Sequence, residues 1–436
     1  MEEENRKFFD ENPKYELPYP HLDNRQFQKK ISVKKEFQYR YDGEIDDVSR
    51  KSEIVCKKKS RELFPHQEFI KRYISSETPY NGMLLYHGLG SGKTCSAIGV
   101  TEALRVYSKY VQGFKKIMIV ASPNVQENFK LQLFNPSSLK KVNGIWNISG
   151  CLGNSFIEEL NISQINDLDK EVLIQKINKI ISNHYIFLGY VELANIIEKL
   201  YRMKHKQKAL TNYFQGRVIV IDEIHNIRLT SDSDKAKKKV AMMLKSLVQT
   251  VKQIRFIFLT GTPMYNDPKE IIFILNILNA NDNRSTLSIA EVFDTNGELK
   301  KKDGENGLIE IGKQKLILKA NGYVSYVRGE NPYAFPFLVT PKMYKDPQSI
   351  KALKAYPDRQ FNNNRIATGI QHLDLYVHQM SPIQEEGYQS FIDEITSELN
   401  EEEMEKFEEM DSFQYTMVMK PVQALNINYK IARGEE

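Results

Sequence analysis

The sequence predicts an α/β chain organised around a parallel sheet with helices on both faces, and three observations carry that reading. Five short apolar runs, 83–87, 116–121, 184–188, 217–221 and 255–260, alternate with helical patterns, as in a parallel sheet covered on both sides. The runs are too short and too apolar for anything but buried strands. A glycine loop, two carboxylates and a Thr-Gly-Thr turn follow the first, fourth and fifth runs, and strand carboxyl ends are where an open α/β sheet builds its site.

Residues 1–60 are polar, mixed in charge and broken by Pro13, Pro18 and Pro20, so they read as an extension with little core of its own. The sheet domain spans 61–280, with an insertion at 138–179 between the second and third strands. Its first strand runs into His87-Gly88-Leu89-Gly90-Ser91-Gly92-Lys93-Thr94, and an apolar-periodic stretch through Ala97, Ile98, Val100 and Leu104 follows. Strand, glycine loop, helix is the context that a phosphate loop requires. Gly88, Gly90 and Gly92 permit positive φ angles and a close approach, so that N–H groups, that of Ser91 among them, point at phosphate oxygens. Lys93 supplies the charge for the β- and γ-phosphates and Thr94 the hydroxyl for Mg²⁺, which predicts ATP and Mg²⁺ as the cofactors. The strict pattern has Gly where His87 stands.

The second strand ends at Ala121-Ser122-Pro123, and the fourth, Arg217–Ile221, at Asp222-Glu223-Ile224-His225. Ionisable groups at the end of a buried strand are costly unless they bind a cation or are paired. Asp222 is therefore predicted as the second ligand of the Mg²⁺ held by Thr94, and Glu223 as the group that orients and deprotonates the attacking water. His225 stands near the same rim as a coupling residue. The fifth strand ends in Thr260-Gly261-Thr262-Pro263, whose two hydroxyls suit a relay between the carboxylates and a second surface.

These four segments, in this order, resemble motifs I, Ia, II and III of the first recA-like domain of superfamily 2 helicases and translocases of the DExH type. The resemblance implies a recA-like, P-loop NTPase sheet, ATP hydrolysis, and Ser122, Pro123, Thr260, Gly261 and Thr262 as residues that couple the nucleotide to nucleic acid. Leu63-Phe64-Pro65-His66-Gln67 resembles the segment that contacts adenine in this superfamily, which makes Gln67 a nucleotide-binding candidate. The segment Ser325 to Pro336, with Tyr376 to Pro382 and Gln423 to Asn426, is similar to helicase-like ATPases of nucleocytoplasmic large DNA viruses, including relatives of the poxvirus early transcription factor small subunit and nucleoside triphosphate phosphohydrolase. That likeness implies a role in viral transcription, with DNA favoured over RNA. Arg328 is left between a nucleic-acid phosphate and Glu330 as its partner.

Superfamily 2 enzymes also bring arginine fingers from a second recA-like domain, worth about 10³ to 10⁵ in rate. No Gln-x-x-Gly-Arg-type motif follows position 263. The expectation is that residues 281–375 form an accessory segment and 376–436 a helical linker toward a second domain absent from this chain, supplied by a continuation or by a partner. The alternative to a helicase or translocase is an ATP-switched DNA-binding transcription-factor subunit; a structural subunit with a degenerate site is disfavoured by the intact Lys93, Thr94, Asp222 and Glu223.

The 436 residues, 41% hydrophobic and 27% charged, suffice for two or three domains. Three scattered cysteines, Cys56, Cys95 and Cys151, argue for a reducing intracellular compartment and against a disulfide framework or zinc site. No run approaches the ~20 apolar residues of a membrane span, and the N-terminus lacks the order of a signal peptide. A net charge of +5 permits nucleic acid without announcing it. The lysine clusters 57–59, 204–208 and 235–239, like the acidic stretch 392–411, read first as solvated faces.

Overall fold

The structure is a computed structural model that describes residues 18–38, 63–88, 90–110, 115–160, 165–227, 235–264, 267–304, 307–327, 350–352, 359, 365, 376–378, 380–397 and 415–426. It divides into two units, 1–336 and 337–436.

The first unit is built on six parallel strands: β1 (Gly82–His87), β2 (Ile117–Val120), β3 (Tyr185–Leu188), β4 (Val218–Ile221), β5 (Arg255–Thr260) and β6 (Val324–Val327). Their order across the sheet is β6-β1-β5-β4-β2-β3. Five of them coincide, within a residue or so, with the apolar runs of the sequence. The four central strands are Val-, Ile-, Leu- and Phe-rich and lie almost wholly out of solvent, because helices cover both faces and leave no polar side to alternate with.

The sixth strand comes from the segment read as accessory. β6 is an edge strand, with Val324 and Tyr326 exposed, and it pairs with β1 in the register Leu84↔Val324 to His87↔Val327. Residues 18–38 also depart from expectation. Leu22, Phe27, Ile31 and Phe37 are buried against α1 (Pro65–Tyr73) and its surroundings, where Tyr73 and Tyr80 stack at 4.4 Å. Arg284 Nη2 meets Asp23 at 2.7 Å, and Tyr80 donates to the Pro20 carbonyl at 2.9 Å. Full burial of such a side chain contributes about 1.5–3 kcal/mol, so this part of the extension is core.

Helix α2 (Lys93–Ser108) follows β1, and α3 (Pro123–Leu133) follows β2. The insertion then forms a hairpin, Lys140–Val142 with Ile145–Asn147, and the helices Ser155–Leu160 and Lys170–His184. It is fastened to α2 by a buried ion network: Arg105 Nη2 lies 2.7 Å from Glu102, and Arg105 also binds Glu159, which pairs with Lys109 at 2.9 Å. Against the expectation of no disulfide, the insertion brings two of the cysteines together. Cys95, at the start of α2, and Cys151 form a disulfide with Cα atoms 5.4 Å apart. They are scattered in sequence and adjacent in space because the insertion folds back over α2. Cys56 lies outside the described residues.

Helix α4 (Tyr190–Tyr201) follows β3, and α5 (Glu270–Asn281) follows β5. In the second unit, Ile350–Ala352 pairs antiparallel with Tyr376–His378, and helices Pro382–Ser397 and Tyr415–Asn426 meet where Gln384 donates to the Leu425 carbonyl at 2.5 Å. No helix among the described residues is long and apolar enough to cross a membrane.

Candidate active site

All four motif segments open on the carboxyl edge of the sheet. Because β5 lies between β1 and β4, the Thr-Gly-Thr turn stands between the glycine loop and the carboxylates, although it comes last in sequence.

The loop turns on Gly90 and Gly92, whose φ angles are 77° and 75°, a left-handed conformation that only glycine adopts without strain. Gly88 does not take a positive φ; its N–H instead donates to Val327 of β6 at 3.3 Å. Gly92 is also a point of contact, since a Cβ there would lie 2.4 Å from Gln67 Nε2. Helix α1 grips the loop with two side chains. His66 Nε2 is 3.1 Å from the Ser91 carbonyl, and Gln67 Nε2 donates to the Gly92 carbonyl at 3.1 Å while Gln67 Oε1 accepts from Phe64 N at 2.9 Å. Gln67, only 2% exposed, thus bonds the loop itself. Ser91 Oγ closes the turn onto the Gly88 carbonyl at 2.7 Å.

Lys93 and Thr94 begin α2, which has no side-chain cap at Gly92, so the positive end of the helix faces the loop. Lys93 Nζ donates to the His87 carbonyl at 3.0 Å, and a Cβ on Gly261 would lie 3.4 Å from it. The Ser91 N–H, expected to point at phosphate, donates instead to the Gly88 carbonyl at 3.4 Å because the turn closes on itself; the glycine turn, a lysine at its end and a hydroxyl at an open helix start still fit a polyphosphate.

Asp222, 7% exposed, is fixed through its backbone to Val120 at 3.0 Å. Burial, and then the negative charge of Glu223, push its carboxyl up to about 6, while Lys93 and His225 draw it the other way. A divalent cation held by Asp222 and Thr94 would add positive charge there. Glu223 sits at φ 47°, a left-handed position that costs a non-glycine residue on the order of 1 kcal/mol or more. Its carboxyl is held below the usual range, first by the hydrogen bond from His225. His225 Nδ1 lies 3.2 Å from Glu223 Oε2 and 2.8 Å from Thr260 Oγ1. Thr260, fully buried, also accepts from the Thr262 N–H at 3.0 Å. Glu223, His225, Thr260 and Thr262 therefore form one chain of hydrogen bonds from the buried site to an exposed turn.

Ser122 and Pro123 open α3 on the outer part of the same edge, with Pro123 and Thr262 exposed. On the far side of β2 lies a residue that sequence reasoning missed. Tyr190 begins α4 directly after β3 and donates its hydroxyl to the Asp222 carbonyl at 2.8 Å; burial raises the phenol to about 12. The strand-end rule applied to run 184–188 would have found it. The basic clusters add little: Lys239 is paired with Glu198 at 2.7 Å, residues 204–208 are exposed, and Lys57–Lys59 and Arg328 lie outside the described residues.

The chain is similar in sequence to several proteins of large DNA viruses. An ATP-dependent RNA helicase of Acanthamoeba polyphaga mimivirus is 26% identical over 75% of this chain and 54% of its own length. A helicase of Invertebrate iridescent virus 3 is 29% identical over 61% of this chain and 23% of its own, and a termination factor NPH-I homolog of African swine fever virus is 25% identical over 45% and 22%. The chain thus spans from about half to less than a quarter of the length of these relatives. Among solved structures, the Sulfolobus solfataricus SWI2/SNF2 ATPase core in complex with double-stranded DNA aligns with 84% of this chain and 57% of that one, at 16% identity and a TM-score of 0.35. The SNF2-related domain model matches residues 66–326, a span that takes in five strands of the six-stranded sheet and all but the last residue of the sixth, and the chain belongs to that family.

Proposed function

We propose that the first unit binds and hydrolyses Mg·ATP and couples hydrolysis to movement along nucleic acid, with DNA as the polymer and viral transcription as the setting. The observation that carries this is the convergence of Lys93, Asp222, Glu223, His225 and Thr260 across three adjacent strands. The names of the relatives support the class, and the termination factor among them supports the setting.

In this reading the loop N–H groups and Lys93 hold the β- and γ-phosphates, Lys93 leaving the His87 carbonyl to do so. Thr94 and Asp222 hold the Mg²⁺, which neutralises charge on the phosphates when bound. Glu223 orients the attacking water and takes its proton. Because Glu223 shares His225 with Thr260, a change in its charge is felt at Thr262 on the rim, where Ser122 and Pro123 also stand. The arginine fingers come from a second recA-like domain.

The test is ATP turnover alone and with duplex DNA, single-stranded DNA or RNA, with Lys93→Ala as the blank. Stimulation by DNA above that blank is expected; stimulation by RNA alone would transfer the reading to RNA. Turnover unchanged by Lys93→Ala would remove the site assignment altogether.

A further inference from the structure

His87 occupies the place where the common phosphate-loop pattern has glycine, and its ring is fully buried. Nε2 lies 2.9 Å from Ser325 Oγ on the neighbouring strand β6. Nδ1 has no hydrogen-bond partner among the described residues. A neutral imidazole carries one proton, and a buried N–H without an acceptor costs more than a bare ring nitrogen. The proton therefore belongs on Nε2, which donates to the Ser325 hydroxyl.

The same residue is tied to the loop through its backbone. Its carbonyl receives Lys93 Nζ at 3.0 Å, and the next peptide, Gly88, donates to Val327 of β6 at 3.3 Å. On the other side the ring meets His66 edge-on at 5.6 Å, and His66 reaches the Ser91 carbonyl. The first turn of the loop is thus clamped between α1 and the edge strand, with His87 as the member common to both.

We infer that His87 and Ser325 form a positioning pair through which β6 sets the phosphate loop and the carbonyl that receives Lys93. His87 touches no reacting atom in this account; it acts through Gly88 and, before nucleotide binds, through the carbonyl that holds Lys93. The inference rests on the ATPase reading above. It explains why glycine is replaced at a position where glycine would serve a free-standing loop: here the loop is indexed to a strand that arrives 240 residues later, as the pairing of Leu84 with Val324 shows.

The experiment is a double-mutant cycle on turnover and on Mg·ATP affinity, read with a fluorescent nucleotide analogue, using His87→Gly, Ser325→Ala and the double variant. Each single change is expected to lower kcat about tenfold with a smaller rise in KM, and the double to be no worse than either single, as for residues acting as a unit. Ser325→Thr, which keeps the hydroxyl, is expected to stay within about twofold of the parent. His87→Gly turning over as fast as the parent, or losses that multiply in the double, would overturn the pairing. If His87→Gly fails to fold, Ser325→Ala against Ser325→Thr decides, since equal rates in those two count against the bond. Lys93→Ala is run alongside, because parent-like turnover there sinks the ATPase reading and not the pair.

Discussion

The carboxyl edge of the sheet has two halves of opposite character. On the β1 side the loop is fastened by His66, Gln67, His87 and Ser91, and three of these side chains are under 10% exposed. On the β2 and β3 side, Pro123 is open to solvent, and a side-chain hydrogen bond from Tyr190 to the Asp222 carbonyl reaches back to the carboxylates. Under the proposed function the difference separates two tasks. Phosphate chemistry needs groups held in place before the reaction, whereas a surface that steps along a polymer needs access and a link that can transmit change.

That contrast can be broken at three points. Glu223→Gln keeps the shape of the inner half and removes its base, so kcat should fall about 10³-fold while Mg·ATP still binds. Loss of binding to the same degree would make Glu223 a structural member of the site. The inner half should also show acid sensitivity. Burial lowers His87 from 6.5 to about 4, so the unfolded chain takes a proton that the native chain refuses. Stability is therefore complete above pH 6.5 and falls as the pH drops toward 4, by roughly 3 kcal/mol in all. Urea unfolding of the parent and of His87→Gln at pH 7.5 and 5 measures this, and parallel losses in the two would assign the effect to other groups. The smallest effect belongs to the outer half. Tyr190→Phe should reduce polymer-stimulated turnover about fivefold with ATP affinity within about twofold; an unchanged response to polymer would leave Tyr190 as packing alone.

Legibility in the sequence followed the same division. The central strands and the loop were readable because parallel, doubly covered strands are continuous apolar runs and because glycine, lysine and paired carboxylates are rare in that context. β6 was not, since Val-Ser-Tyr-Val at a sheet edge is short, half exposed and paired with a strand far away in sequence. Gln67 was expected to contact adenine, and its bonds to Gly92 and Phe64 depend on a tertiary approach that the sequence does not display. The Cys95–Cys151 link escaped for the same reason: separation along the chain says little about distance once an insertion folds back. Tyr190 had a usable signal, its position at a strand end, and lacked only a motif to draw attention to it.

The late arrival of β6 bears on how the protein is made. As the chain leaves the ribosome, β1 appears early, with its phosphate loop, and gains β5 on one side once residue 260 is out. Its other edge stays unpaired until residues 324–327 emerge. An open strand edge of that kind is a template for intermolecular pairing. A nascent chain stalled near residue 280, or a protein trimmed there, would carry every motif and still be prone to aggregate.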